Sequence, residues 1–158
     1  MWVVWCSIIP KDTKCRANAP FGTFTLTMNQ LIIKHITLLV RDYDEAIAFF
    51  CETLGFDLQE DTPQEEHKRR VVVAPRGSEC SLILAKASTV EQQALIGKQC
   101  GGRVFLYLHT DDLDREALRL KEQGVRIVRE PTTAAFGRAL VFEDLYGNRW
   151  DLVEPASV

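Results

Sequence analysis

Histidine is scarce in this chain, three among 158 residues, and no two cysteines are spaced CxxC. The five cysteines, Cys6, Cys15, Cys51, Cys80 and Cys100, are odd in number and scattered. That spacing argues against a disulfide framework or a thiolate zinc site, and for a reducing, cytoplasmic compartment. A nucleophilic thiol needs a base beside it, so a buried or incidental thiol is the ordinary reading of each. No apolar run reaches the ~18 residues of a transmembrane helix, so no membrane partner is expected. Charge of one sign is lacking too: 19 basic residues stand against 22 acidic, a net −3. The richest basic patch, His67-Lys68-Arg69-Arg70, follows Glu65-Glu66 and leads into Val71-Val72-Val73. It reads as the solvated start of a strand, not a phosphate-tracking surface, and nucleic acid is not an expected partner.

What is present belongs to an ordinary globular protein, with 46% hydrophobic and 26% charged residues. The length suits one domain or two small fused modules sharing a core. MWVVWCSIIP at the start lacks a basic n-region and an A-x-A site, which makes it a poor signal peptide. Residues 1–27 hold Pro10, Pro20 and Gly22 and no sustained periodicity. They are expected to be an appendage, poorly ordered or non-native, to a domain spanning residues 28–158.

The organised pattern opens on LIIKHITLLV, Leu31–Val40. At period 2 one face carries Ile32, Lys34, Ile36, Leu38 and Val40, and the other Ile33, His35, Thr37 and Leu39. Asp42 and Glu45 then stand at capping-box spacing, and Tyr43, Ile47, Phe50 and Leu54 make one helical stripe that Gly55 ends. Phe56–Glu60 reads as a strand broken by Asp61-Thr62-Pro63, followed by strands at Arg70–Ala74 and Ser81–Ala85. The unit is βαβββ. Residues 88–102 are a partly helical junction, flexible at Gly101-Gly102. Then the pattern repeats: an alternating strand at Arg103–His109, and Asp111 and Asp114 at cap and N3 spacing. Leu113, Ala117 and Leu120 each fall 70 residues after Tyr43, Ile47 and Phe50. Gly124 closes that helix; strands follow at Val125–Glu130 (ended by Pro131), Arg138–Phe142 and, after the turn Asp144–Asn148, Arg149–Val153. Two βαβββ modules, at about 31–87 and 103–155, make an α+β fold by internal duplication. One helix covers only one face of four strands, so the other faces are expected to curve around a cavity between the half-sheets.

These residues resemble the vicinal oxygen chelate superfamily: glyoxalase I, bleomycin-resistance proteins, fosfomycin-resistance transferases and extradiol dioxygenases. The resemblance covers residues 31–155 and rests on KHITLLVRDYDEAIAFF…LGF, TDDLD…L…QGV and EDLYGNRWDLVEP, taken with the duplication. It implies curved mixed sheets around a cavity, a small-molecule ligand or substrate, and a homodimer. It also implies a metal site built from one inward residue on the first and last strand of each module. Carried over, the four places are His35, Ile83, Phe105 and Asp151. Only His35 and Asp151 can coordinate, and two protein ligands fall short of the three that zinc normally wants. A divalent ion (zinc, nickel, manganese or iron) would be held weakly or not at all, and the iron(II) facial triad is incomplete.

Read without metal, His35 and Asp151 could hydrogen-bond, serving as a general base toward a proton α to a carbonyl. They could equally be a buried polar pair that orients a ligand. Arg103 suits a carboxylate or phosphate at the cavity mouth, or a surface salt bridge. Phe105, Tyr107 and Ile83 would line the cavity for a flat or apolar molecule, or simply pack. His109, ~13 Å along the strand from Phe105, is too far to rescue the site, and Trp150 is expected to pack. Two functions stay open: a glyoxalase-like lyase or isomerase acting on a carbonyl compound, and a non-catalytic binding protein of the bleomycin-resistance type.

Overall fold

A computed structural model describes residues 31–66 and 68–156. The expectations for residues 1–27 and for His67 lie outside the described residues. In chain order the elements are β1 (His35–Val40), α1 (Tyr43–Ile47), a π-helical continuation (Ala48–Thr53), β2 (Asp57–Glu65), β3 (Lys68–Ala74) and β4 (Ser81–Lys86). The linker carries α2 (Val90–Leu95). Then come β5 (Val104–His109), α3 (Leu113–Glu122), β6 (Ile127–Ala134), β7 (Gly137–Glu143) and β8 (Arg149–Pro155).

Each module is a four-stranded mixed sheet, ordered β1-β4-β3-β2 and β5-β8-β7-β6. The first and last strands of each module pair parallel, the others antiparallel. The expected duplication is thus present strand for strand. β1 is shorter than its apolar run because its partner β4 begins only at Ser81, whose N–H bonds the Lys34 carbonyl at 3.0 Å, and among the described residues Leu31–Ile33 have no strand partner.

Several boundaries differ from expectation, each for a local reason. Pro63 and Pro131 do not end their strands: both lie on edge strands, β2 and β6, where a missing N–H can point away from the ladder. Asp112, not Asp111, caps α3, its side chain accepting from the Arg115 N–H at 2.9 Å. Asp42 caps α1 as expected. Gly55 and Gly124 take positive φ (74° and 72°) just beyond their helices, where a side chain would be strained.

One apolar cluster joins the modules. Leu38, Val40, Phe50, Val71 and Leu84 come from the first, and Leu113, Leu120, Leu140, Phe142 and Trp150 from the second. The strand residues among them lie on the helix-bearing faces of their sheets, so the two sheets share a core on that side and their other faces are bare of helix. Trp150 is the hub, with Phe50, Phe56, Phe105 and Phe142 at ring-centroid distances of 5.7–6.5 Å. The DLYGN turn holds it there. Asp144 accepts from the Tyr146 and Asn148 backbone N–H groups, from Asn148 Nδ2 and from Trp150 Nε1, all at 2.9–3.1 Å.

Candidate functional site

The bare faces carry the chemistry. Strand pairing lines residues of one face into rows, because paired residues point the same way. In the first module the central row is Thr37–Ile83–Val72–Glu60. The corresponding row of the second is Tyr107–Asp151–Val141–Arg129. Val72, Ala139, Val141 and Val153 are buried yet stand apart from the helix-side cluster, as they would on a concave second face.

His35 lies one step before the first row, exposed, beside its strand partner Ser81. Its Nδ1 is 2.7 Å from the buried Ser81 Oγ, which is 3.4 Å from the Lys34 carbonyl. When the hydroxyl donates to that carbonyl, Nδ1–H donates to Ser81 and Nε2 is left as an acceptor. The sequence reading missed Ser81, although the pairing of first and last strands would have pointed to it.

Asp151 is buried on the second row, with Arg129 Nη2 3.5 Å from Oδ2. Its Oδ1 is buried and has no hydrogen-bond partner among the described residues. Burial pushes the carboxyl pKa above its ordinary value, and the Arg129 charge opposes that shift. Arg129 is the second residue the sequence reading missed; its signal was a lone cation on the edge strand that faces Asp151 across β7. No hydrogen bond or ion pair joins His35 to Asp151: the first is held by Ser81, the second by Arg129. The two residues stand in different sheets, His35 on β1 and Asp151 on β8.

The remaining expected residues are dispersed. Ile83 is half-buried on the first row, and Tyr107 projects from the second, 65% exposed. Phe105 corrects the face assigned from alternation. The β5–β8 register shifts between Val104 and Leu106, and this bulge turns the Phe105 ring edge-on to Trp150, 5.7 Å between centroids. Arg103 is exposed and precedes β5. A cleft of about 610 Å³ between the modules lies on the helix side, lined by Leu54, Phe56, Leu108, His109 and Phe142 among others. It contains none of His35, Ile83, Arg103, Phe105, Tyr107 or Asp151.

A family model described as Glyoxalase/Bleomycin resistance protein/Dioxygenase superfamily matches residues 32–152. The chain belongs to that superfamily. This glyoxalase-superfamily chain is 54% identical over 129 residues to an uncharacterized protein of Shewanella frigidimarina, covering 80% of this chain and 95% of the relative. Among solved structures, UcmS2 superposes with a TM-score of 0.70 at 30% identity, covering 79% of this chain and 98% of that one. TnmS3, an antibiotic binding protein from Streptomyces sp. CB03234, gives 0.68 at 33% identity, covering 82% and 100%.

Members of the superfamily commonly hold a divalent metal, and the residues here do not fit one. The orphaned Asp151 Oδ1 could take a cation, but the Arg129 guanidinium already stands beside that carboxylate and would repel a second positive charge. Among the described residues no three His, Cys, Asp or Glu side chains cluster as ligands. His35 and Asp151 together would supply two donors where three are normal.

Proposed function

We propose that this glyoxalase-superfamily chain is a small-molecule binding protein of the bleomycin-resistance type, holding its ligand on the bare sheet faces. The observation that carries this reading is that His35 and Asp151 are bound separately, to Ser81 and to Arg129, and so do not form an acid–base pair within the chain. The likeness to an antibiotic binding protein supports it. The ligand lies against Tyr107, Asp151 and Ile83, with Arg103 at the rim. Such a ligand needs a second wall, and the reading therefore includes a homodimer in which one copy's first-module face meets the other's second-module face. A cytoplasmic location goes with it, in keeping with free thiols at Cys51, Cys80 and Cys100.

Fluorescence titration with 1-anilino-8-naphthalenesulfonate, with the probe recovered and weighed by mass spectrometry, tests the binding reading. Saturation at one probe per chain is expected, with the probe unchanged and Tyr107→Ala about 5–10-fold weaker for loss of an aromatic contact. No saturable binding would overturn it. A glyoxalase-like lyase or isomerase is the second reading, favoured by the free Nε2 that Ser81 can leave on His35. Turnover of a small 2-oxo aldehyde thiol adduct, abolished by His35→Ala, would put it first. Elemental analysis of untagged protein is expected to give well under one divalent ion per chain, unchanged in His35→Ala. Near-stoichiometric metal lost in that variant would reveal a ligand from elsewhere and reverse the reading.

A further inference from the structure

The two modules are duplicates in backbone and not in charge, and one row shows the difference plainly. Where the first module has Thr37, Ile83, Val72 and Glu60, the second has Tyr107, Asp151, Val141 and Arg129. In the first module Glu60 is paired by Arg70 next to it, Nε to Oε2 3.0 Å, and the apolar Ile83 holds the centre. In the second the carboxylate itself is at the centre and the cation reaches in from the edge. Two register shifts flank Arg129 in β6, between Ile127 and Arg129 and between Arg129 and Thr132. Bulges of this kind re-aim a side chain, and here the side chain crosses Val141 to reach Asp151.

The pair is left half-used. Asp151 has a side chain 9% exposed, one oxygen facing Arg129 at 3.5 Å and the other with no donor among the described residues. Leaving a buried carboxylate oxygen without a donor is costly, so a group that donates to it is strongly favoured. Arg129 is half exposed and, among the described residues, makes no other ion pair or side-chain hydrogen bond, so several of its five N–H groups remain for a second acceptor. A cationic ligand without an anion would be repelled by Arg129, and a simple anion would leave Oδ1 empty. The ligand that satisfies both carries an anion and a donor on neighbouring atoms.

We propose that Arg129 and Asp151 form a two-point anchor for a carboxylic acid bearing a 2-hydroxy or 2-amino group. The carboxylate sits on the Arg129 guanidinium, and the hydroxyl or ammonium donates to Asp151 Oδ1. Tyr107, next to Asp151 in the row and exposed, gives a ring for the rest of the molecule to lie on. This rests on the binding reading above and names the ligand chemistry for it.

Isothermal titration of the full chain with three acids on one skeleton tests it: 3-phenyllactate, phenylalanine and 3-phenylpropionate. At least one of the first two is expected to bind tenfold or more tighter than 3-phenylpropionate, which lacks the donor. Asp151→Leu should erase that preference while leaving 3-phenylpropionate within about threefold, and Arg129→Met should weaken all three about tenfold. Which of the hydroxy and amino acids wins tells the two sources of the donor apart. Equal binding of the three acids, or a preference that survives Asp151→Leu, overturns the anchor. If Asp151→Leu does not fold, Arg129→Met on the exposed edge decides alone, and unchanged affinity for the acids overturns it. Should the naphthalenesulfonate probe bind while none of the three acids does, the anchor fails and the binding reading stands. Should no probe bind, both fail.

Discussion

Asp144 and Asp151 are seven residues apart, both 6% exposed, and differ in what they are bonded to. Four N–H groups converge on Asp144, which is what a carboxylate needs in order to be buried for structure. Asp151 has a single cation at 3.5 Å and, among the described residues, an oxygen with no donor, which is the difference the proposed anchor uses. Carboxylates that serve structure nearer the surface can be read through their titration. Asp61 accepts from Arg69 Nε at 2.8 Å, and the same guanidinium reaches Asp44 and lies over the Tyr43 ring. The Arg69 hydrogen bond, and then its charge, hold the Asp61 pKa below its ordinary value. An acid whose pKa is lower in the folded chain contributes stability above the unfolded value of about 3.9 and loses it as pH falls through the folded one. Asp61→Asn is therefore expected to melt below the wild type at pH 7, by the equivalent of about 1 kcal/mol or less for a part-exposed pair. The gap should close as the pH is taken from about 4 downward. Thermal melts of both proteins across that range check this, and a gap of constant size would mean that the Arg69 contact is not its source.

At the scale of elements, the residues that face a core were legible and those that face an edge were not. The stripe Tyr43, Ile47, Phe50 and its copy Leu113, Ala117, Leu120 placed both helices, because helical period and core burial demand the same positions, though the first turns π-helical from Ala48. Pro63 and Pro131 misled because proline interrupts a ladder only where its nitrogen would have donated, and sequence alone does not say which strand is an edge. Phe105 misled because a one-residue bulge reverses alternation without leaving a mark in composition. At the candidate site, the resemblance singled out His35 and Asp151, but their partners Ser81 and Arg129 depend on register. Edge chemistry also gives Gln99 its part. Its side-chain oxygen accepts from the Leu39 N–H at 2.7 Å and its amide nitrogen donates to the Thr37 carbonyl at 3.2 Å, as a neighbouring strand would. β1 is the outer strand of its sheet, so this one amide occupies part of an otherwise unpaired ladder. Gln99→Ala is expected to cost about 1–2 kcal/mol, from two hydrogen bonds at ~0.5–1 kcal/mol each. It should also make the chain self-associate through β1. Denaturant melts give the first number, and light scattering against concentration gives the second. An unchanged midpoint with no added association would show that water replaces the amide without loss.

The whole molecule hangs on the contact between modules, and that contact is largely aromatic. Neither four-stranded sheet with its single helix closes a core alone; the helix-side faces meet, and Trp150 of β8 touches Phe50 and Phe56 of the first module as well as Phe105 and Phe142 of its own. Trp150 is 1% exposed and its Nε1 is bonded to Asp144, so it is fixed in place on both its apolar and its polar sides. Truncating a buried aromatic to alanine costs about 3–5 kcal/mol, and here part of that cost is the coupling of two units. The wild type is therefore expected to unfold in one transition, with circular dichroism and tryptophan fluorescence coincident in a Trp2→Phe/Trp5→Phe background that leaves Trp150 as the reporter. Trp150→Phe should keep a single, earlier transition in circular dichroism, because a ring still bridges the modules. Trp150→Ala should lower the unfolding free energy by the full amount and broaden or split the transition, since each module then loses its common anchor. If Trp150→Ala instead unfolds as sharply as the wild type, with a loss below about 2 kcal/mol, then the coupling resides in the aliphatic residues around it, Leu113, Leu120 and Leu140, and the aromatic cluster is packing without a joining role.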